Sequence, residues 1–156
     1  MTLRRTAALW LALIAWPAVA GAQIGRVSPP RFEEADRAFL ERADPNRARF
    51  AYRSYKAQLE ADRDDWEAGW RFAMAAYFVG KRLTDDEQAR QQLWALGRDA
   101  GKHAVELAPD CAPCHMFTAI NMVLYGESVG VVKMLTTLGE IRSLLERSYA
   151  LDPGFA

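Results

Sequence analysis

The residues best suited to chemistry in this chain stand together in "P-D-C-A-P-C-H-M", residues 109–116, which holds its only two cysteines. Cys111, Cys114 and His115 spell C-x-x-C-H, the sequence to which a c-type haem is joined through two thioether bonds. In such a site the histidine beside the second cysteine is the proximal iron ligand, and a second axial ligand and an apolar crevice are also needed. Met116, Met122, Met134 and His103, the only other histidine, are the candidates for that second ligand. The same cysteines admit three further readings: a redox C-A-P-C at a helix N-terminus, where the dipole lowers a thiol pKa, a structural disulfide, or two small packing thiols.

Other catalytic constellations do not stand out. With two histidines no Ser–His–Asp arrangement emerges, no glycine-rich phosphate loop follows a strand, and no carboxylate cluster has metal-ligand spacing. Asp62, Asp64 and Asp65 read as a solvated helix N-terminus rather than a Ca²⁺ loop. The chain is therefore expected to be no enzyme and, in its main reading, to carry no cofactor or metal. What it has in excess is aromatic surface. Trp66, Trp70 and Tyr77 recur at helical spacing and serve either as repeat core or as the lining of a groove that binds a peptide or apolar solute. Asn121, polar within an otherwise apolar helix, is a further candidate for a groove contact with a partner.

The elements that position these residues are helices nearly throughout. Apolar residues recur at three and four: Phe32, Ala35, Phe39 and Leu40, then Phe50, Tyr55 and Leu59, then Trp66, Trp70, Ala73 and Tyr77. Thr84-Asp85-Asp86-Glu87 fits a capping box that opens a fourth helix with Thr84 as its cap, and Pro109 closes that helix. A fifth runs from about residue 110 to 125 with Asp110 as cap, and Pro113 is tolerated in its first turn. A sixth carries Val131, Leu135, Leu138, Ile141 and Leu145 and ends at Asp152-Pro153-Gly154. No strand pair with a convincing turn is present, so the fold class is all-α.

The helices also repeat. "A-V-E-L-A-P-D" (104–110) returns as "S-Y-A-L-D-P-G" (148–154), and "W-E-A-G-W-R-F-A" (66–73) aligns with "A-P-C-H-M-F-T-A" (112–119). That register pairs Ala68 with Cys114, Ala73 with Ala119 and Gly80 with Gly126. Small residues at fixed places let two helices approach closely, which encodes an antiparallel helix-pair array of the tetratricopeptide-like kind. About six helices are expected after a signal peptide.

That peptide is read from the first 22 residues. Arg4 and Arg5 form a positive start, residues 7–16 an apolar run too short to span a bilayer, and Ala20-Gly21-Ala22 a small-x-small cleavage site. Cleavage would leave a chain beginning at Gln23, with residues 23–30 as a linker and 31–156 as one helical-repeat domain. No cysteine stands at the cleavage site, so no lipid anchor is encoded there. The full chain holds 20 basic and 20 acidic side chains, which gives no electrostatic reason to expect nucleic acid as a partner. Periplasmic export, without stable membrane insertion after cleavage, is the expected localisation.

The string "D-D-W-E-A-G-W-R-F-A-M-A-A-Y-F-V-G", followed by "G-R-D-A-G-K-H-A-V-E-L-A-P-D", "C-H-M-F-T-A-I-N", "Y-G-E-S-V-G" and "I-R-S-L-L-E-R-S-Y-A-L-D-P-G-F", resembles the T component associated with TRAP-type transporters (TatT). The resemblance covers roughly residues 35–156. It implies a periplasmic, tetratricopeptide-like protein that is no enzyme and acts as an accessory to a solute-binding subunit. The chain departs from that family in lacking a lipobox cysteine and in stopping at Ala156. The expectation is an exported interaction module with another exported protein as partner, possible self-association, and Trp70, Tyr77 and Asn121 as partner contacts. A monohaem c-type cytochrome using Cys111, Cys114 and His115 is the alternative.

Overall fold

The computed structural model describes residues 29–155, so the signal peptide expected over 1–22 and most of the 23–30 linker lie outside the described residues. A single 3-10 turn, Pro30–Phe32, leads into six α-helices: α1 Glu33–Leu40, α2 Pro45–Ala61, α3 Trp66–Arg82, α4 Glu87–Leu107, α5 Ala112–Val129 and α6 Val131–Leu151. Among the described residues there is no strand, and the architecture is the all-α helical-repeat array that the periodicity predicts.

Helices α2 to α5 each start where a side chain can satisfy an orphan amide, whereas α1 and α6 have no side-chain cap. Asp44 accepts from the Asn46 amide (2.8 Å) with Pro45 pre-setting the first turn of α2, and Asp65 accepts from the Ala68 amide (3.1 Å) at the start of α3. Two caps differ from expectation. The cap of α4 is Asp86, which accepts from the Ala89 amide at 2.6 Å. Thr84 instead turns back and donates to the Val79 carbonyl, closing α3. The cap of α5 is Cys111, whose sulfur accepts from the Cys114 amide at 3.1 Å. Asp110 stands one residue too early and pairs with Arg147 of α6 across 2.6 Å.

Consecutive helices pack as antiparallel pairs, and α3 also touches α5. The small residues read from the sequence sit at these contacts. Gly80 near the end of α3 lies against the Trp94 ring of α4, and its repeat equivalent Gly126 near the end of α5 lies against Met134 of α6. Gly97 and Gly101 of α4 leave room for Asn121 and Thr118 of α5. Ala68, Ala73, Cys114 and Ala119, the predicted repeat partners, are all fully buried. Between α5 and α6 the chain turns at Gly130, whose φ of 115° only glycine adopts without strain. Phe32, Tyr55 and Phe72 fill the core under α1–α3. At the other end of the array, the outward face of α6 leaves Val132, Leu135 and Tyr149 exposed.

Candidate interaction groove

The helix α3 carries Trp70, Met74, Tyr77, Phe78 and Arg82 along one face, with Tyr77 and Phe78 side by side and the others three or four residues apart. Twelve residues at about 1.5 Å rise make that face roughly 18 Å long. Opposite it stand Asp36, Phe39 and Leu40 of α1 with Arg42 just beyond, while Phe117 of α5 and Phe155 of the final turn close one end. Together they bound an open groove of about 580 Å³, within the range of sites that seat a small ligand or a short chain segment.

Its floor is fixed by a buried ionic network. Arg71, 4% exposed, directs Nε to both Asp36 oxygens (3.1 and 3.3 Å), and the Tyr55 hydroxyl donates to the same carboxylate at 2.6 Å. Arg71 also donates to the Glu67 carbonyl and stacks over the rings of Phe32 and Trp70. Burial, followed by the hydrogen bond to Asp36, pushes the Tyr55 hydroxyl far above its ordinary range, so it remains a donor at all accessible pH. The network ties α1, α2 and α3 into one wall. Across the groove Phe39 meets Phe78 edge to face at 5.8 Å, and Trp70 stacks on Phe117 at 6.2 Å with planes 10° apart.

Trp70 and Tyr77 are thus brought together on the groove as the sequence suggests. Trp66 is not: it lines a second groove, bounded by Leu59 of α2 and by Ala100, His103 and Leu107 of α4. Asn121 is not a groove contact either. It is fully buried, and its side-chain amide donates to the carbonyls of Ala73 (2.9 Å) and Phe117 (2.8 Å), pinning α5 onto α3. The residues that sequence reasoning missed are Phe39, Arg42, Arg82 and Phe155. They stand on three stretches distant in sequence, the end of α1 with its following turn, the last turn of α3 and the final turn, and no local pattern brings these together.

Cys111 and Cys114 lie behind the groove, packed against Trp70 and Ala104. They form a disulfide with Cα atoms 5.3 Å apart. His115 is buried, and its Nε2 donates to the Pro109 carbonyl at 2.8 Å, because a carbonyl can only accept. That assignment leaves Nδ1 as an acceptor, and it is buried without a partner. The residues as folded do not fit a covalent haem. Both sulfurs are spent on each other, and neither of the two grooves described is lined by Cys111, Cys114 or His115. Three of the four candidate distal ligands, Met122, Met134 and His103, have other partners. Met122 and Met134 pack with Ile141 between α5 and α6, and His103 faces outward against Asp64 at 2.9 Å.

Compared with known proteins, residues 31–156 match the family model described as "Regulator of microtubule dynamics protein 1-3". No curated protein and no solved structure matches the chain. The family match corrects the resemblance to the T component of TRAP-type transporters. The strings behind that resemblance are rich in Ala, Gly and aromatic residues, which packing demands at helix contacts in any helix-pair array. They report the fold and not the family.

Proposed function

The chain belongs to the regulator of microtubule dynamics protein 1–3 family, and from that premise we propose that it is an interaction module, not an enzyme, which holds a segment of another protein in the α1–α3 groove. The observation that carries this reading is the groove itself: Tyr77 and Phe78 of α3 face Phe39 of α1, with the buried Trp70 ring at one end, over a floor that the Arg71–Asp36–Tyr55 network locks. Aromatic side chains on a pre-formed surface give large contact area at low entropic cost, which is how helical-repeat proteins hold partners. Microtubule dynamics in the family description is said of the proteins it was named for. An accessory role to a TRAP-type solute-binding subunit stood on the corrected resemblance and has no other support.

Export completes the proposal. The Arg4-Arg5 start and the Ala20-Gly21-Ala22 site favour it, and a disulfide between Cys111 and Cys114 suits an oxidising compartment. The released protein is expected to begin at Gln23; recovery of the uncleaved chain in the cytoplasm would count against export.

The groove reading is tested by selecting displayed random peptides against the immobilised protein. Enriched peptides are expected to bind the wild type and to lose binding to Tyr77→Ala with helicity unchanged. Enrichment of peptides that bind Tyr77→Ala equally well would move the site elsewhere.

A further inference from the structure

The charges around the groove are unequally answered. Asp36 is fully engaged by Arg71 and Tyr55, so the floor is neutral. At the far end of α3 the balance differs. Among the described residues the Arg42 guanidinium meets no carboxylate: it donates to the Phe39 carbonyl at 3.2 Å and lies over the rings of Phe39 and Phe78 at 5.0 and 5.7 Å. Arg82, on the last turn of α3, is exposed and has no carboxylate partner among the described residues. Two guanidinium groups without a carboxylate partner among the described residues therefore stand at one end of the groove, and Trp70, Met74 and Phe117 form its apolar other end.

That apolar end already accepts a ring. Phe155, from the turn after α6, lines the groove and meets Phe117 edge to face at 6.0 Å with planes 89° apart. The chain itself thus seats one phenyl group against this wall.

We propose that the segment held in the groove is an acidic peptide with an aromatic or large aliphatic anchor. Its carboxylates meet Arg42 and Arg82, and its anchor packs on Met74 and Phe117 beside the buried Trp70 ring. The inference rests on the groove reading above and adds the chemistry of the occupant. The stacking of Arg42 on two rings holds its fork in place, which favours paired N–H···O bonds to a planar carboxylate. The spacing also fits: roughly 18 Å of groove holds about five or six extended residues at 3.3 Å each.

The experiment uses the peptides selected on the immobilised protein, synthesised with a fluorescent label and titrated by anisotropy. Asp and Glu are expected within a few positions of Phe, Trp or Leu. Replacing those acids by their amides, or making Arg82→Gln, should weaken binding about tenfold, as loss of one charged hydrogen bond does. The pair Arg42→Glu with Arg82→Glu should shift the selected set toward Lys and Arg. Both arginines are exposed, and circular dichroism verifies that each variant is folded. Neutral or basic peptides that ignore Arg42 and Arg82 yet need Tyr77 would overturn the acidic occupant and leave the groove reading standing. Enrichment of no peptide above the bare matrix would overturn both.

Discussion

Arg71 donates to Asp36 from beneath the groove, and Asp36 in turn accepts from Tyr55, so three helices share one part-buried carboxylate. Truncating the arginine leaves that carboxylate desolvated without its cation. Arg71→Ala is expected to cost about 3–5 kcal/mol in urea unfolding, whereas Arg42→Ala, on the exposed rim, should cost under about 0.5 kcal/mol. Equal effects would mean that Arg71 is as solvated as Arg42. His103 offers a pH signature on the opposite side. Its hydrogen bond to Asp64 raises its pKa above the ordinary 6.5, since the acceptor favours the charged ring. A raised folded pKa gives stability that is fully present below the unfolded value and fades as pH rises through the folded one. The stability difference between wild type and His103→Ala should therefore be larger near pH 5.5 than near pH 8.5, and small throughout because the ring is nearly half exposed. A difference that grows with pH would contradict the pairing. Residue-scale legibility was partial. Asn121 stood out as a polar residue on an apolar helix, but its partner, the Ala73 carbonyl, is 48 residues away and left no local trace. Cys111 was passed over as a cap because carboxylates outrank sulfur in that role.

At the scale of elements the sequence was most informative, because helix packing constrains residue size directly. Ala73 and Ala119 are equivalents in the sequence repeat, and both are fully buried at helix contacts. Ala73→Trp and Ala119→Trp are each expected to destabilise by about 1–3 kcal/mol or more through overpacking, read as a lower urea midpoint. Silence at both would mean that α3 and α5 do not pack through those faces. The N-terminus of α5 is a second test. Cys111→Ala with Cys114→Ala removes a cap and a cross-link over a very short loop, so a loss of about 1–3 kcal/mol with helicity preserved is expected. Loss of the whole helical signal would give this turn a larger share in folding than its packing suggests. Helix starts were less legible than helix faces. Thr84, Asp85 and Asp86 are all acceptable caps, and the choice fell to Asp86 because Thr84 was needed to close α3.

For the whole molecule, the all-α repeat class could be read from periodicity and from small residues recurring at a fixed interval. The family could not, because the same residues serve any array of paired helices. Half of the groove was legible, since Trp70 and Tyr77 share a helix face; the other half comes from α1, α5 and the final turn, which only the folded chain brings together. The tryptophans provide the most direct test of the central claim, that the α1–α3 groove holds a partner segment. Trp70 lies on that groove, Trp66 on the α2–α4 side, and Trp94 between α3 and α4 beside Gly80. In a ¹⁵N-edited NMR titration with a selected peptide, the Trp70 indole resonance is expected to shift in a saturable way while those of Trp66 and Trp94 stay in place. A saturable shift of Trp66 with Trp70 unmoved would contradict the account and put the interaction face on the other side of α3.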